Sequence, residues 1–193
     1  MTTTPYDDPD EADGADGADE ADEADELEAV PALGTVVEQD RGSLPFALIH
    51  GEALVTCAVW ALGEAGVTPV DLGTEWAGLV DSGEAFVLHD SLCPMTPAAF
   101  IAECVRTALE RDRAVVGVLT GAAGSETVVS PVVLPPSVVA ACDGEPPSDF
   151  DALVAWLRRD FEVVTLPAPV SARRVTSAAD VAELERLTRP PRD

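Results

Sequence analysis

The sequence contains no lysine, so arginine supplies all 11 of its basic side chains, against 36 acidic ones. The formal net charge is -25. Proteins that bind nucleic acid use clustered cations to displace counterions from phosphate, and anionic membrane surfaces attract basic segments. We therefore expect neither nucleic acid nor a membrane as a partner.

Patterns of metal ligands are also missing. The chain has only two histidines, His50 and His89, and neither lies at ligand spacing from a cysteine. Its four cysteines are scattered, with no Cys-x-x-Cys pair: Cys57, Cys93, Cys104 and Cys142. We expect no zinc site, and we expect reduced thiols in a cytosolic protein. The longest largely apolar run, residues 53–62, is about half as long as a membrane-spanning helix. The sequence therefore predicts a soluble, cytoplasmic protein.

The acidic residues are concentrated near the N terminus. Thirteen of the 36 lie between Asp7 and Glu28, where there is no basic residue, and five near-identical Ala-Asp-Gly or Ala-Asp-Glu triplets fill residues 12–26. Self-repulsion and the lack of large apolar side chains predict that residues 1–26 are disordered. The segment lacks the cationic start and apolar centre of a signal peptide. The alternative is an acidic tail that docks onto a basic protein partner.

The rest of the chain is apolar enough to form a core, since 47% of all residues are hydrophobic. We predict one domain over residues 27–188 and a flexible C terminus over residues 189–193. Strands are predicted at 27–33 (ending at Gly34), 84–88, 114–119, 127–134 and 161–166. Helices are predicted at 52–65, 97–109, 148–159 and 180–187, with Thr96 and Ser177 as the N-caps of the second and the last. This alternation indicates an α/β fold with a mainly parallel sheet.

Three details refine this prediction. Residues 114–119 carry no charge, which is typical of a strand buried on both faces of a parallel sheet. Pro131 interrupts residues 127–134, so we predict that this strand lies at an edge. Ligands of such sheets bind beyond the carboxyl ends of the strands, which places Gly34, Asp90 and Thr120 at the functional edge.

Three separated segments carry recognisable motifs. The first is Ala-Val-Pro-Ala-Leu-Gly at residues 29–34, with Leu-Pro-Phe at 44–46 and His-Gly-Glu at 50–52. The second is Phe-Val-Leu-His-Asp-Ser-Leu-Cys-Pro at 86–94, and the third is Arg-Arg-Val-Thr-Ser-Ala-Ala-Asp-Val at 173–181. In this order they resemble motifs of the methylerythritol phosphate cytidylyltransferase family. Those enzymes join a cytidine nucleotide to methylerythritol phosphate on the non-mevalonate route to isoprenoids.

The resemblance implies a three-layer, Rossmann-like nucleotidyltransferase fold, CTP or another nucleotide as ligand, and a homodimer. The roles that it assigns are catalysis for Asp90 and Arg174, nucleotide binding for Ala32, Leu33, Gly34 and Arg41, and substrate binding for His89 and Thr176. If the chain is active, it also implies Mg²⁺ at Asp90. Local patterns allow a plainer interpretation, in which Asp90 caps the turn that follows its strand and Arg174 is a solvated surface charge.

The chain departs from the family where cations are needed. Cytidylyl transfer builds negative charge on the α-phosphate and on the leaving pyrophosphate. Phe46 stands where the family has lysine, Cys93 stands where it has arginine, and Arg174 replaces the closing lysine. Residues 67–83 replace a longer strand-helix unit and contain no arginine.

These departures predict a family-like protein with weak or no activity, in a binding or regulatory role. One alternative is an active nucleotidyltransferase with an altered site, in which Asp90 binds magnesium and Arg41 and Arg174 bind phosphates. Another is a protein-interaction module that acts through the acidic tail.

Overall fold

The computed structural model describes residues 31–71, 73–121 and 124–189. The predicted disordered tail of residues 1–26 lies outside the described residues, and so does the predicted flexible C terminus apart from Arg189. None of the helices in the described part of the chain is long and apolar enough to cross a membrane.

The elements alternate along the chain, as predicted. The strands are β1 (Ala32–Val37), β2 (Leu48–Ile49), β3 (Glu52–Ala53), β4 (Val67–Pro69), β5 (Ala85–Asp90), β6 (Ala114–Thr120), β7 (Glu126–Leu134) and β8 (Val163–Pro167). The helices are α1 (Leu54–Glu64), α2 (Trp76–Ser82), α3 (Ala98–Arg111), α4 (Pro136–Ala141), α5 (Phe150–Asp160) and α6 (Ala178–Leu187). Two short 3₁₀ turns cover Leu44–Phe46 and Val170–Ala172.

Six strands form the main sheet in the order β4-β1-β5-β7-β6-β8. Only β7 runs antiparallel to its neighbours, so the sheet is mainly parallel, which confirms the predicted fold class. The carboxyl ends of β1, β5 and β6 therefore meet along one side of the sheet, the functional edge, which is distinct from the edge strands β4 and β8. Asp90 and Thr120 lie at this edge, as expected.

Helices cover both faces of the sheet and give a three-layer structure. On one face, Val37, Phe86 and Leu88 pack with side chains of α2, α4 and α5, such as Leu153 and Leu157. The other face packs against α1 and α3. A third cluster joins α6 to the β2–β3 hairpin and is formed by Ile49, Leu54, Leu92, Val175, Val181 and Leu184.

The predicted end of the first strand is wrong. Gly34 lies inside β1, buried between β4 and β5, and it does not follow the strand. A Cβ atom at this position would lie 2.6 Å from Val67 Cγ1 and 3.1 Å from the Val87 carbonyl oxygen. The glycine is therefore needed for close packing between strands. Residues 38–43, which follow β1, form the loop at the functional edge.

The predicted edge position of the 127–134 strand is also wrong, because β7 lies between β5 and β6. The register between β6 and β7 shifts at this point: Val129 pairs with Gly117 and Val132 with Val116, and two residues of β7 are left between these pairs. Pro131 is one of the two. A β-bulge thus accommodates a residue that has no N–H to donate to the ladder.

The helix ends agree closely with the predictions. Ser177 caps α6, since its Oγ accepts a hydrogen bond from the Asp180 N–H at 3.2 Å. Helix α3 begins at Ala98 with Pro97 as its N-cap, one residue later than expected. The Thr96 hydroxyl donates instead to the Cys93 carbonyl at 2.9 Å. Strand β6 is buried from Ala114 to Val118, as predicted.

Replacing Gly34 with alanine should destabilise the protein by about 1–3 kcal/mol, because the new methyl group overpacks the space between β1, β4 and β5. The matched control is Gly63→Ala at an exposed position of α1, where nothing lies within 4 Å of the added Cβ. That change should be neutral or stabilise the protein by up to about 1 kcal/mol, because alanine favours helix. Urea denaturation measures both. Equal stability of the two variants would contradict the packing role of Gly34.

Candidate functional site

Asp90 is the last residue of β5, a strand in which all six residues are buried. Its side chain is only 1% exposed. The carboxylate oxygen Oδ1 accepts a hydrogen bond from the Leu92 N–H at 3.0 Å, so Asp90 caps the turn that follows the strand. This confirms the plainer local interpretation of the residue. The same carboxylate also has charged neighbours.

Two arginines from distant segments meet at Asp90. Arg41, in the loop after β1, donates from Nε to Asp90 Oδ1 at 3.2 Å. Arg174, between β8 and α6, places its Nε 3.1 Å from Asp90 Oδ2, without the alignment of a hydrogen bond. The cluster therefore holds two positive charges and one negative charge. The three residues that we singled out in three separate motifs thus lie together at the edge of the sheet.

Arg41 is fully engaged inside the protein. Its side chain is 4% exposed. In addition to the Asp90 bond, Nη1 donates to the Gln39 carbonyl at 2.9 Å and Nη2 donates to the Ser148 carbonyl at 2.8 Å. Each nitrogen of the guanidinium thus has an acceptor within the chain. Arg41 joins the β1 loop, the end of β5 and the segment before α5.

His89 and Ser130 form a buried pair behind Asp90. Ser130 lies in the β7 bulge, and its Oγ is hydrogen-bonded to His89 Nδ1 and accepts from the Asp90 N–H at 2.9 Å. Burial lowers the pKa of His89 to about 3, so the imidazole is neutral at pH 7. Side chains alternate along a strand, so His89 and Asp90 point to opposite faces of the sheet. The structure does not bring the His89 ring to the carboxylate of Asp90.

Other predicted site residues are engaged elsewhere. Thr176 donates from its N–H and its hydroxyl to Asp180 Oδ2, at 2.9 and 2.7 Å, and these bonds lower the pKa of Asp180. Ala32, Leu33 and Gly34 lie within β1 and not in the loop after it. Binding of nucleotide or substrate by these residues remains a prediction.

Two of the positions that differ from the family motif, Cys93 and Phe46, carry no cation. Cys93 is fully buried, and burial together with the charge of Asp90 raises the pKa of its thiol to about 12. The thiol is therefore neutral at pH 7. Phe46 is 63% exposed and presents an apolar ring to solvent. Arg173, the neighbour of Arg174, is paired with Glu183 at 2.9 Å.

Next to Arg41 lies a cavity of about 390 Å³, which we call the edge cavity. Its walls are Thr35, Val37, Gln39, Asp40, Val70, Asp71, Thr74, Trp76, Leu79, Phe86, Leu88, Glu145, Pro146 and Ser148. Four chain segments meet here, and sequence reasoning did not find the cavity. The one available signal was Trp76, a large aromatic residue in the short segment between the first predicted helix and the 84–88 strand. It packs edge to face against Phe86.

The surroundings of Asp90 do not fit a magnesium ion in this arrangement. Magnesium is usually bound by one or two carboxylates together with substrate phosphates. Here a guanidinium nitrogen lies within 3.2 Å of each carboxylate oxygen of Asp90. Within residues 31–71, 73–121 and 124–189 there is also no cluster of three or more histidine, cysteine or acidic side chains that could hold a metal. Magnesium at Asp90 remains a prediction that requires both guanidiniums to move.

Comparison with solved structures identifies the fold. The chain matches 2-C-methyl-D-erythritol 4-phosphate cytidylyltransferase from Thermus thermophilus with a TM-score of 0.58 and 18% identity, over 82% of this chain and 98% of that one. It matches 4-diphosphocytidyl-2C-methyl-D-erythritol synthase from Anaerococcus prevotii with a TM-score of 0.57 and 11% identity, over 82% and 95%. A further 4-diphosphocytidyl-2C-methyl-D-erythritol synthase gives a TM-score of 0.59 and 10% identity, over 82% and 98%. No protein-family model matches the chain, and no curated protein matches it in sequence. The chain therefore has the cytidylyltransferase fold that the motifs implied.

Replacing Arg41 with methionine should cost about 3 kcal/mol of stability. The buried carboxylate of Asp90 loses one of its two cations, and the carbonyls of Gln39 and Ser148 lose their donor. Arg174→Met is the matched variant. Its side chain is 25% exposed and its contact with Asp90 is not an aligned hydrogen bond, so we expect a cost of about 1 kcal/mol. Chemical denaturation of both variants tests the difference. A larger loss of stability for Arg174→Met would contradict the conclusion that Arg41 contributes more to the stability of this region.

Stability should fall on mild acidification because of His89. Its folded pKa of about 3 lies below the ordinary value of 6.5, so the unfolded chain takes up the proton first as the pH falls. The resulting loss begins near pH 6.5 and continues towards pH 3. Between pH 7 and pH 5 it amounts to about 2 kcal/mol. His89→Gln should remove this slope, and the control His50→Gln should keep it, since His50 is exposed. Urea denaturation at several pH values measures this slope. An unchanged slope in His89→Gln would show that the loss of stability does not come from His89.

Proposed function

We propose that this chain is a cytidylyltransferase-fold protein that does not transfer a cytidylyl group and that serves as a binding or regulatory protein near the isoprenoid route. The observation that carries this proposal is the pairing of both candidate phosphate-binding cations with Asp90. Arg41 and Arg174 lie 3.2 and 3.1 Å from its two carboxylate oxygens.

The charge at the site supports the absence of catalysis. A nucleoside triphosphate brings several negative charges, whereas the cluster has a net charge of one positive unit. The loss of one preorganised donor in a site of this kind costs about 3 kcal/mol of transition-state stabilisation. Here Arg41 is committed to internal acceptors, Cys93 is a buried neutral thiol, and Phe46 offers no charge. Several such losses leave little transition-state stabilisation.

The fold supports a retained binding role. In open α/β sheets, ligands bind beyond the carboxyl ends of the strands. The edge cavity lies at this position, beside β1 and β5. The solved structures with this fold are named as cytidylyltransferases or as the corresponding synthases, which is the reason for placing the binding role near that chemistry.

A second candidate is a nucleotidyltransferase with an altered site. The observation that favours it is the partial exposure of Arg174, at 25%, within a cluster that keeps one net positive charge. An entering phosphate could draw Arg174 away from Asp90. Magnesium at Asp90 would require Arg41 to move as well.

We expect no binding of CTP with magnesium at millimolar concentration by calorimetry, and no release of pyrophosphate from CTP and methylerythritol phosphate. The Thermus thermophilus enzyme, assayed in parallel, is the positive control. Release of pyrophosphate that requires methylerythritol phosphate would overturn the proposal.

If pyrophosphate is released, a pair of variants identifies the site. Arg174→Met should then abolish the activity, whereas Arg173→Met, which removes the neighbouring arginine paired with Glu183, should retain it. That result would establish the second candidate. Equal activity of the two variants would place the reaction outside the Asp90 cluster.

A further inference from the structure

The edge cavity has the size and the apolar walls of a small-molecule site. Its volume of about 390 Å³ falls within the range of ligand pockets. Val37, Leu79, Phe86 and Leu88 are buried side chains of the surrounding core and form its apolar part. Strands β1 and β5 hold three of these four, so the floor of the cavity is built on rigid elements.

The ionisable side chains that line the cavity are all acidic. They are Asp40, Asp71 and Glu145, and all three are exposed to solvent. Among the described residues that form its walls there is no arginine and no histidine. A concave surface lined by one sign of charge attracts ligands of the opposite sign.

Arg41, the cation next to the cavity, cannot reverse the negative potential that the three carboxylates create there. Arg41 is not among the wall residues, and its three guanidinium nitrogens donate to Asp90, Gln39 and Ser148. Gln39 and Ser148 themselves line the cavity, so Arg41 lies behind the wall. Asp90 offsets part of its charge. An anionic ligand would therefore meet three carboxylates and, among the described wall residues, no facing cation.

Two aromatic rings add a second kind of recognition. Trp76 and Phe86 both line the cavity, and their ring centroids are 5.7 Å apart in an edge-to-face arrangement. Both rings offer apolar contact area to the body of a ligand. A ligand that contacts them can direct a positive charge towards Asp40, Asp71 and Glu145, which are exposed.

We propose that the edge cavity binds a small organic ammonium compound with an aromatic or aliphatic body. This inference deepens the proposed function and rests on it, because it names the ligand class that a site without free phosphate-binding cations accepts. The carboxylates supply the preference for positive charge, and the apolar walls supply the contact area. The proposal involves no covalent step.

The test is calorimetry on the full chain with three probes of similar shape. They are phenethylamine, which is cationic, 2-phenylethanol, which is neutral, and phenylacetate, which is anionic. We expect phenethylamine to bind at least about tenfold more tightly than 2-phenylethanol, corresponding to about 1.4 kcal/mol, and phenylacetate to show no binding. Phenethylamine binding should also weaken as salt is added.

A double variant, Asp71→Asn with Glu145→Gln, removes two of the three charges and keeps the side-chain shapes. It should lose most of the preference for the amine and retain the affinity for the alcohol. The matched control is Glu103→Gln with Glu110→Gln on α3, which removes two exposed charges from the helix on the opposite face of the sheet. That control should bind the amine as the unmodified chain does.

The proposal is overturned if phenethylamine does not bind, if the alcohol or phenylacetate binds as tightly, or if the double variant keeps the full preference for the amine. The proposed function fails on a different measurement, the release of pyrophosphate. A chain that binds no amine and releases no pyrophosphate overturns only the present inference. A chain that releases pyrophosphate overturns the proposed function, whatever the amine titrations show.

Discussion

The ion pair between Arg41 and Asp90 is the contact on which the functional edge depends. A charge buried to this degree is tolerated only when it is paired and hydrogen-bonded, and the guanidinium of Arg41 has an acceptor for each nitrogen. Through its other two nitrogens Arg41 also donates to Gln39 and Ser148, so it connects the loop after β1 with the wall of the edge cavity. One buried side chain thus holds this loop and pairs with the carboxylate at the end of β5.

The β7 bulge sets the position of Asp90 from the other side. Because two residues of β7 fall between the pairs that it makes with β6, Ser130 is free to bond to neighbouring β5. Its hydroxyl accepts from the Asp90 N–H and contacts the ring of His89. The carboxylate is therefore held through its own main chain as well as through the arginines. The position of the Asp90 carboxylate between the two arginines is therefore set mainly by the main chain at the end of β5.

The mainly parallel α/β fold and the place of Asp90 at the carboxyl ends of the strands could be predicted from periodicity and from the common direction of parallel strands. The three layers, and the association of Asp90 with Arg41 and Arg174, were implied by the resemblance to the cytidylyltransferase family and not by the local pattern. Two features could not be predicted locally. Gly34 looks like the end of a strand, but it is a glycine because neighbouring strands approach it closely, and Pro131 looks like an edge signal until a bulge accommodates it. The edge cavity depends on four separated segments, and no short window of sequence contains it.

The position of Asp90 between two guanidiniums also bears on how readily this site could change its chemistry. One carboxylate at the end of β5 occupies two cations that come from segments far apart in the chain. A neutral replacement at residue 90 would leave two guanidiniums close together without their carboxylate, and it would also remove the acceptor of the Leu92 N–H. A buried charge that loses its partner is strongly destabilising. The end of β5 is therefore a position at which the charge of the site and the stability of the fold cannot be changed separately.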